Sequence, residues 1–98
     1  MIEKAYAGGV PMGSDLVTGG QAPSFIAWAS ADPRGTALQR LQIVKGWEKN
    51  GETYEAVYDV ACSDGLLPDP ETHRCPDNGA KVNLADCSIT EGVGAIEL

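Results

Sequence analysis

Three cysteines and one histidine are the zinc-type ligands of this 98-residue chain. They are Cys62, His73, Cys75 and Cys87, and the histidine is the only one in the sequence. Together they have the composition of a Cys₃His zinc set. Their spacing is wrong for a zinc knuckle, because His73-Arg74-Cys75 is not a Cys-x-x-Cys pair. A disulfide competes for the same sulfurs. Cys62–Cys75 would close a long loop onto the end of a β-strand and contribute about 3 kcal/mol in the chain-entropy description. Cys75–Cys87 is the second choice, and spacing alone leaves the connectivity open. An odd cysteine count leaves one thiol over, or pairs it with a cysteine elsewhere.

Oxygen ligands are plentiful beside these sulfurs. Asp64, Asp69, Glu71 and Asp77 are the calcium candidates, with Asn78 and Asp86 nearby, and calcium takes roughly 6–8 oxygens. The run lacks the Asp-x-[Asp/Asn]-x-[Asp/Asn]-Gly pattern and terminal glutamate of an EF-hand, so a solvated acidic loop is the competing reading. Trp28, Trp47, Tyr54 and Tyr58 could stack on sugars, although a β scaffold more often buries such residues. Hydrolytic catalysis finds no constellation: His73 has no Gly-x-Ser-x-Gly neighbour and no paired base. Glycine-rich phosphate loops are absent. The residues themselves name no catalytic group and no cofactor.

The elements that must position these residues are β-strands. Asn50-Gly51 is the favoured pair of a two-residue type I′ hairpin turn, where both residues need positive φ. Placing that pair at the tip sets Lys49 against Glu52, Trp47 against Tyr54, Ile43 against Tyr58 and Leu41 against Val60. One face then carries Leu41, Ile43, Lys45 and Trp47 opposite Tyr54, Ala56, Tyr58 and Val60. The other carries Arg40, Gln42, Gly46 and Glu48 opposite Thr53, Glu55, Asp59 and Ala61, with Val44–Val57 its one apolar pair. A slip of one residue would mix the faces. The pattern predicts a long hairpin, about Leu38 to Cys62, with its apolar face on the core.

Around the hairpin the signals are weaker. Residues Ile2 to Ala7 suit a short helical turn ended by Gly8-Gly9. Pro23 to Ser30 reads as a strand apolar on both faces. Ser63 to Ala80 reads as a long polar loop of the kind that is functional or stapled. Lys81 to Leu84 and Ser88 to Thr90 suit short strands, and Gly92 to Leu98 an extended end.

The bulk properties bound the function. One domain over residues 1–98 is all this length supports. A net charge of −7 repels phosphate backbones and anionic lipid, which argues against nucleic-acid and membrane-surface partners. No apolar stretch approaches the roughly 20 residues of a spanning helix.

Three stretches carry a resemblance. They are Ala5-Tyr6-Ala7-Gly8-Gly9-Val10-Pro11-Met12-Gly13-Ser14-Asp15-Leu16, Leu38-Gln39-Arg40-Leu41-Gln42-Ile43-Val44-Lys45-Gly46-Trp47, and Val57-Tyr58-Asp59-Val60-Ala61. In this order they resemble the C-terminal part of a bacterial family known as domain of unknown function 3604. That family looks related to the PHP-type metal-dependent hydrolases. Ser14 stands where the family pattern has glycine. The histidine- and aspartate-rich metal site of such hydrolases has no counterpart here, so the resemblance assigns no catalytic residue.

The resemblance implies an internal fragment of a larger periplasmic or secreted protein, folded as an incomplete immunoglobulin-like β-sandwich. The expected function follows: a non-catalytic accessory module that packs against a missing catalytic domain or shapes access to it. A calcium- or carbohydrate-binding module is the alternative. Sheet edges bared by truncation imply a homodimer formed through them.

Overall fold

The computed structural model describes residues 2–98 of the chain. Its centre is an antiparallel hairpin of β1 (Arg40–Lys49) and β2 (Glu52–Cys62), preceded by one short helix, α1 (Ile2–Gly8). Asn50 and Gly51 turn the chain with φ of 55° and 79°. Both values are left-handed, as a type I′ turn requires, so the twist of the turn matches that of the strands it joins. Lys49 pairs with Glu52, Trp47 with Tyr54 and Ile43 with Tyr58, as the sequence pattern predicts.

The register changes once, and the predicted Leu41–Val60 pair is not made. Leu41 faces Ala61 and Gln42 faces Asp59, so Val60 is an extra residue bulged from β2. A bulge flips the faces of the residues that follow it. Here it sets Cys62 opposite Arg40 instead of continuing the apolar row of Tyr54, Ala56 and Tyr58. Cys62 thereby lies beside Asp59, where the following loop returns.

Further corrections concern the flanks. Leu38 is not part of the hairpin: it bridges Ala95, and each backbone N–H donates to the other's carbonyl at 2.8 Å. The predicted strand from Pro23 to Ser30 is not a strand. Only its end is paired, through the Ser30–Glu97 bridge and reciprocal bonds between Ala29 and Leu98. Val82 and Ile89 make one bridge, the remnant of the two short strands expected there.

The fold departs most from expectation in its core. Among the described residues no hydrophobic side chain is buried, and Asp59 and Ser63 are the buried polar ones. The hairpin's predicted core face is open, with Trp47 and Tyr54 40% and 41% exposed. Total accessible surface is 8353 Å², against about 5,400 Å² for a folded monomer of this mass. The radius of gyration is 17.1 Å, against about 13 Å for a compact domain of this length. The architecture is mainly β, with a single two-stranded sheet and one helix among the described residues.

Candidate functional site

Two features could do work: a buried polar knot where the loop after β2 folds back on the hairpin, and an open apolar groove. The knot is built around Asp59. Its side chain is fully buried, which an unpaired carboxylate would not tolerate. Gln42, directly across the hairpin, donates from Nε2 to Oδ1 at 2.6 Å. The backbone N–H of Cys75 donates to Oδ2 at 2.7 Å. Arg40 Nε lies 3.9 Å from one oxygen and Arg74 Nη1 3.7 Å from the other. The Cys75 N–H holds the carboxyl below the usual carboxylate range, assisted by Gln42 and the two arginines, while burial opposes them.

The backbone joins in. The Asp59 N–H donates to the His73 carbonyl at 2.9 Å. Cys62 and Cys75 then close the loop as a disulfide. The first of the two spacings weighed above is the one formed. Cys87 is left free and exposed.

Next to it sits Ser63, only 1% exposed. Its Oγ donates to Asp64 Oδ2 at 2.6 Å and accepts from Asn78 Nδ2 at 3.0 Å. Asp64 also accepts from the backbone N–H of Gly94 at 3.1 Å. Gly94 has φ of 100°, and a Cβ there would lie 2.6 Å from the Ala37 Cβ, so the approach of the C-terminal segment requires glycine. Every buried polar side-chain atom among the described residues has a partner. The knot therefore fixes the geometry of the loop against the hairpin.

The sequence candidates fall into place around it. The Cys₃His set does not assemble, because two of its sulfurs are oxidised to one disulfide. His73 is exposed, with its ring tilted over Tyr58 at 5.0 Å between centroids. The calcium candidates do not converge: no three His, Cys, Asp or Glu side chains among the described residues could hold one ion. Asp69 instead accepts from the N–H groups of Glu71 and Thr72, at 2.9 and 2.8 Å, and Asp77 from that of Gly79 at 3.0 Å. These are side-chain turns of the kind aspartate makes in loops. Trp47 stacks on Tyr54 at 5.5 Å, nearly parallel, with Lys45 Nζ 5.0 Å from the indole centroid.

The groove is formed by α1, the segment that follows it, residues 26–28 and Leu98. It has a volume of about 770 Å³, and its walls include Ile2, Tyr6, Val10, Met12, Ile26 and Trp28. Met12 is fully exposed and Trp28 61% exposed. Sequence reasoning missed this feature. Its one signal is the apolar run through Ile26, Ala27 and Trp28, which fits a covered strand equally well.

The profile of a family described as "Protein of unknown function (DUF3604)" matches residues 1–98. The chain belongs to this family. No curated protein and no solved structure matches it. For a DUF3604 chain the disulfide is compatible with an exported location, and among the described residues no helix is long and apolar enough to cross a membrane.

Proposed function

We propose that this DUF3604 chain is a non-catalytic packing module: a β-rich segment whose apolar surface is completed by another part of a larger protein. The observation that carries the reading is the inversion of burial. Ile26, Trp28, Met12 and Tyr6 are solvent-exposed while no hydrophobic side chain among the described residues is buried. The excess over a compact monomer, about 3,000 Å² on this one chain, is at least as large as the roughly 1,000–2,500 Å² that each partner contributes to an obligate interface. A surface of this size and character marks an interaction face.

The partner in this reading is the catalytic domain of a PHP-like metal-dependent hydrolase, exported to the periplasm or beyond. Docked on it, the hairpin becomes one part of an immunoglobulin-like sandwich. The module shapes and braces the catalytic domain and contributes no reacting group, in keeping with the fully satisfied polar knot.

Hydroxyl-radical footprinting tests the reading. Met12 and Trp28 are oxidised readily in the isolated chain. In a longer DUF3604 protein that includes the catalytic part, they are expected to be protected several-fold. Equal oxidation in both would refute the packing role. Metal-dependent phosphoesterase turnover by the isolated chain would refute the non-catalytic assignment.

A further inference from the structure

The hairpin has one edge that nothing covers. In a two-residue hairpin the strand residues alternate, so that Lys49, Trp47, Lys45 and Ile43 bond across to β2 while Glu48, Gly46, Val44 and Gln42 turn their N–H and C=O outward. The observed bonds obey this alternation. Leu38, in phase with the outward set, pairs outward with Ala95, and Gln39, in phase with the inward set, accepts from Ser63 on the β2 side. The outer edge of β2 is taken at Asp59 by His73. The outer edge of β1 carries no backbone partner over 40–48 among the described residues. It also has no proline and no bulge of its own, two of the guards of a free edge.

We propose that this edge pairs antiparallel with β1 of a second copy of the chain, across a two-fold axis at Val44. Three observations select that occupant and that register. The Leu38–Ala95 bridge ends the free edge on one side and the turn at Asn50 ends it on the other, so Val44 is its midpoint. Pairing about Val44 sets Arg40 against the partner copy's Glu48 twice, joining opposite charges at both ends of the ladder. A register centred on Lys45 would oppose that lysine to its own copy. Finally, Val44 is the exposed apolar residue on the hairpin's polar face, at 60% exposure. In this register it packs on itself.

The product is a four-stranded sheet ordered β2–β1–β1–β2, with Ile43, Trp47, Tyr54 and Tyr58 of both copies on one face. A two-stranded hairpin is marginal alone, whereas three or more strands with an apolar face are stable. The surface involved is the strand edge and not the groove, so failure of this proposal leaves the packing role untouched.

The experiment uses the 98-residue chain with Cys87→Ser, which removes the free thiol. Light scattering should give twice the 10.3 kDa chain mass. Adding Val44→Cys should yield a covalent dimer under a glutathione redox buffer. The paired Cα atoms lie about 5.5 Å apart in such a rung, inside the roughly 4.4–6.8 Å span of a disulfide. Thr53→Cys, on the outer edge of β2, should not cross-link. Glu48→Arg should weaken association roughly tenfold, and Arg40→Glu combined with Glu48→Arg should restore it, with circular dichroism confirming the strands in each. A monomeric mass near 200 µM (on the order of the concentrations that populate weak dimers) would overturn the proposal. Equal cross-linking at Val44→Cys and Thr53→Cys, or association indifferent to Glu48→Arg, would overturn it too.

Discussion

Removing the Cys62–Cys75 disulfide isolates how much of this fold depends on restraint and how much on contact. The perturbation is Cys62→Ala with Cys75→Ala, in a Cys87→Ser background to exclude exchange. The bonded pair is 13 positions apart in sequence. A loop of about 14 residues left open in the unfolded chain regains entropy equivalent to ~3 kcal/mol at 25 °C. The noncovalent contacts of the loop, His73 C=O to Asp59 N–H and Cys75 N–H to the Asp59 carboxylate, survive the substitution. The loss therefore falls on the unfolded state. Urea unfolding followed by Trp47 fluorescence, with Trp28→Phe to silence the second indole, should show the midpoint fall by roughly 1–3 M. A loss under about 1 kcal/mol would refute the restraint argument. Hydrogen exchange at the Asp59 amide gives the local readout. That amide and the residue 75 amide should lose protection by equal factors that match the fall in global stability, because their bonds persist in the folded state.

Other perturbations test the remaining parts. Asp59 is depressed in the folded chain, so its contribution is present above the unfolded carboxyl value of about 3.9 and is lost as pH falls through the lower folded value. Acid titration of stability should therefore show a decline below about pH 4 that is shallower in Asp59→Asn; parallel curves would dismiss the role of the Cys75 N–H and its companions. Gly94→Ala should cost about 1–3 kcal/mol through strain and crowding, since its φ is 100° and the added carbon meets Ala37. Thermal unfolding would detect that loss. Gly51→Ala should cost about 1–2 kcal/mol for a left-handed non-glycine residue, and an unchanged midpoint would contradict the turn assignment.

The sequence disclosed the hairpin because two independent signals agree there. Asn50-Gly51 needs one turn type, and the alternation from Ile43 to Tyr58 needs one register. It did not disclose the bulge, because Val60 and Ala61 are both small apolar residues and either satisfies the row opposite Leu41. The Asp59 knot was hidden for a different reason. An aspartate on the polar face of a strand reads as solvated, and its burial depends on a loop that returns 14 to 16 positions later through His73 and Cys75. The segment from Pro23 to Ser30 is apolar without alternation. Such a run specifies burial and not a partner, and only its last two residues pair, with the C-terminal residues Glu97 and Leu98.

The way burial is shared out decides what holds this fold. Its enclosed groups are polar: Asp59, gripped from β1 and from the loop, and Ser63, held by Asn78 and Asp64. Hydrogen bonds of this kind replace bonds to water, so each adds little net stability while demanding accurate geometry. They fix where the loop and the C-terminal segment sit against the hairpin. The free energy that drives compaction in most domains comes from apolar surface leaving water, and here that surface faces outward along the groove and the sheet. A chain built this way carries a hydrogen-bonded polar knot and an exposed apolar exterior. In the packing role proposed above, covering that exterior supplies the missing stabilisation. Truncating Trp28 to alanine should accordingly leave the isolated chain's unfolding midpoint nearly unchanged and weaken the assembled protein.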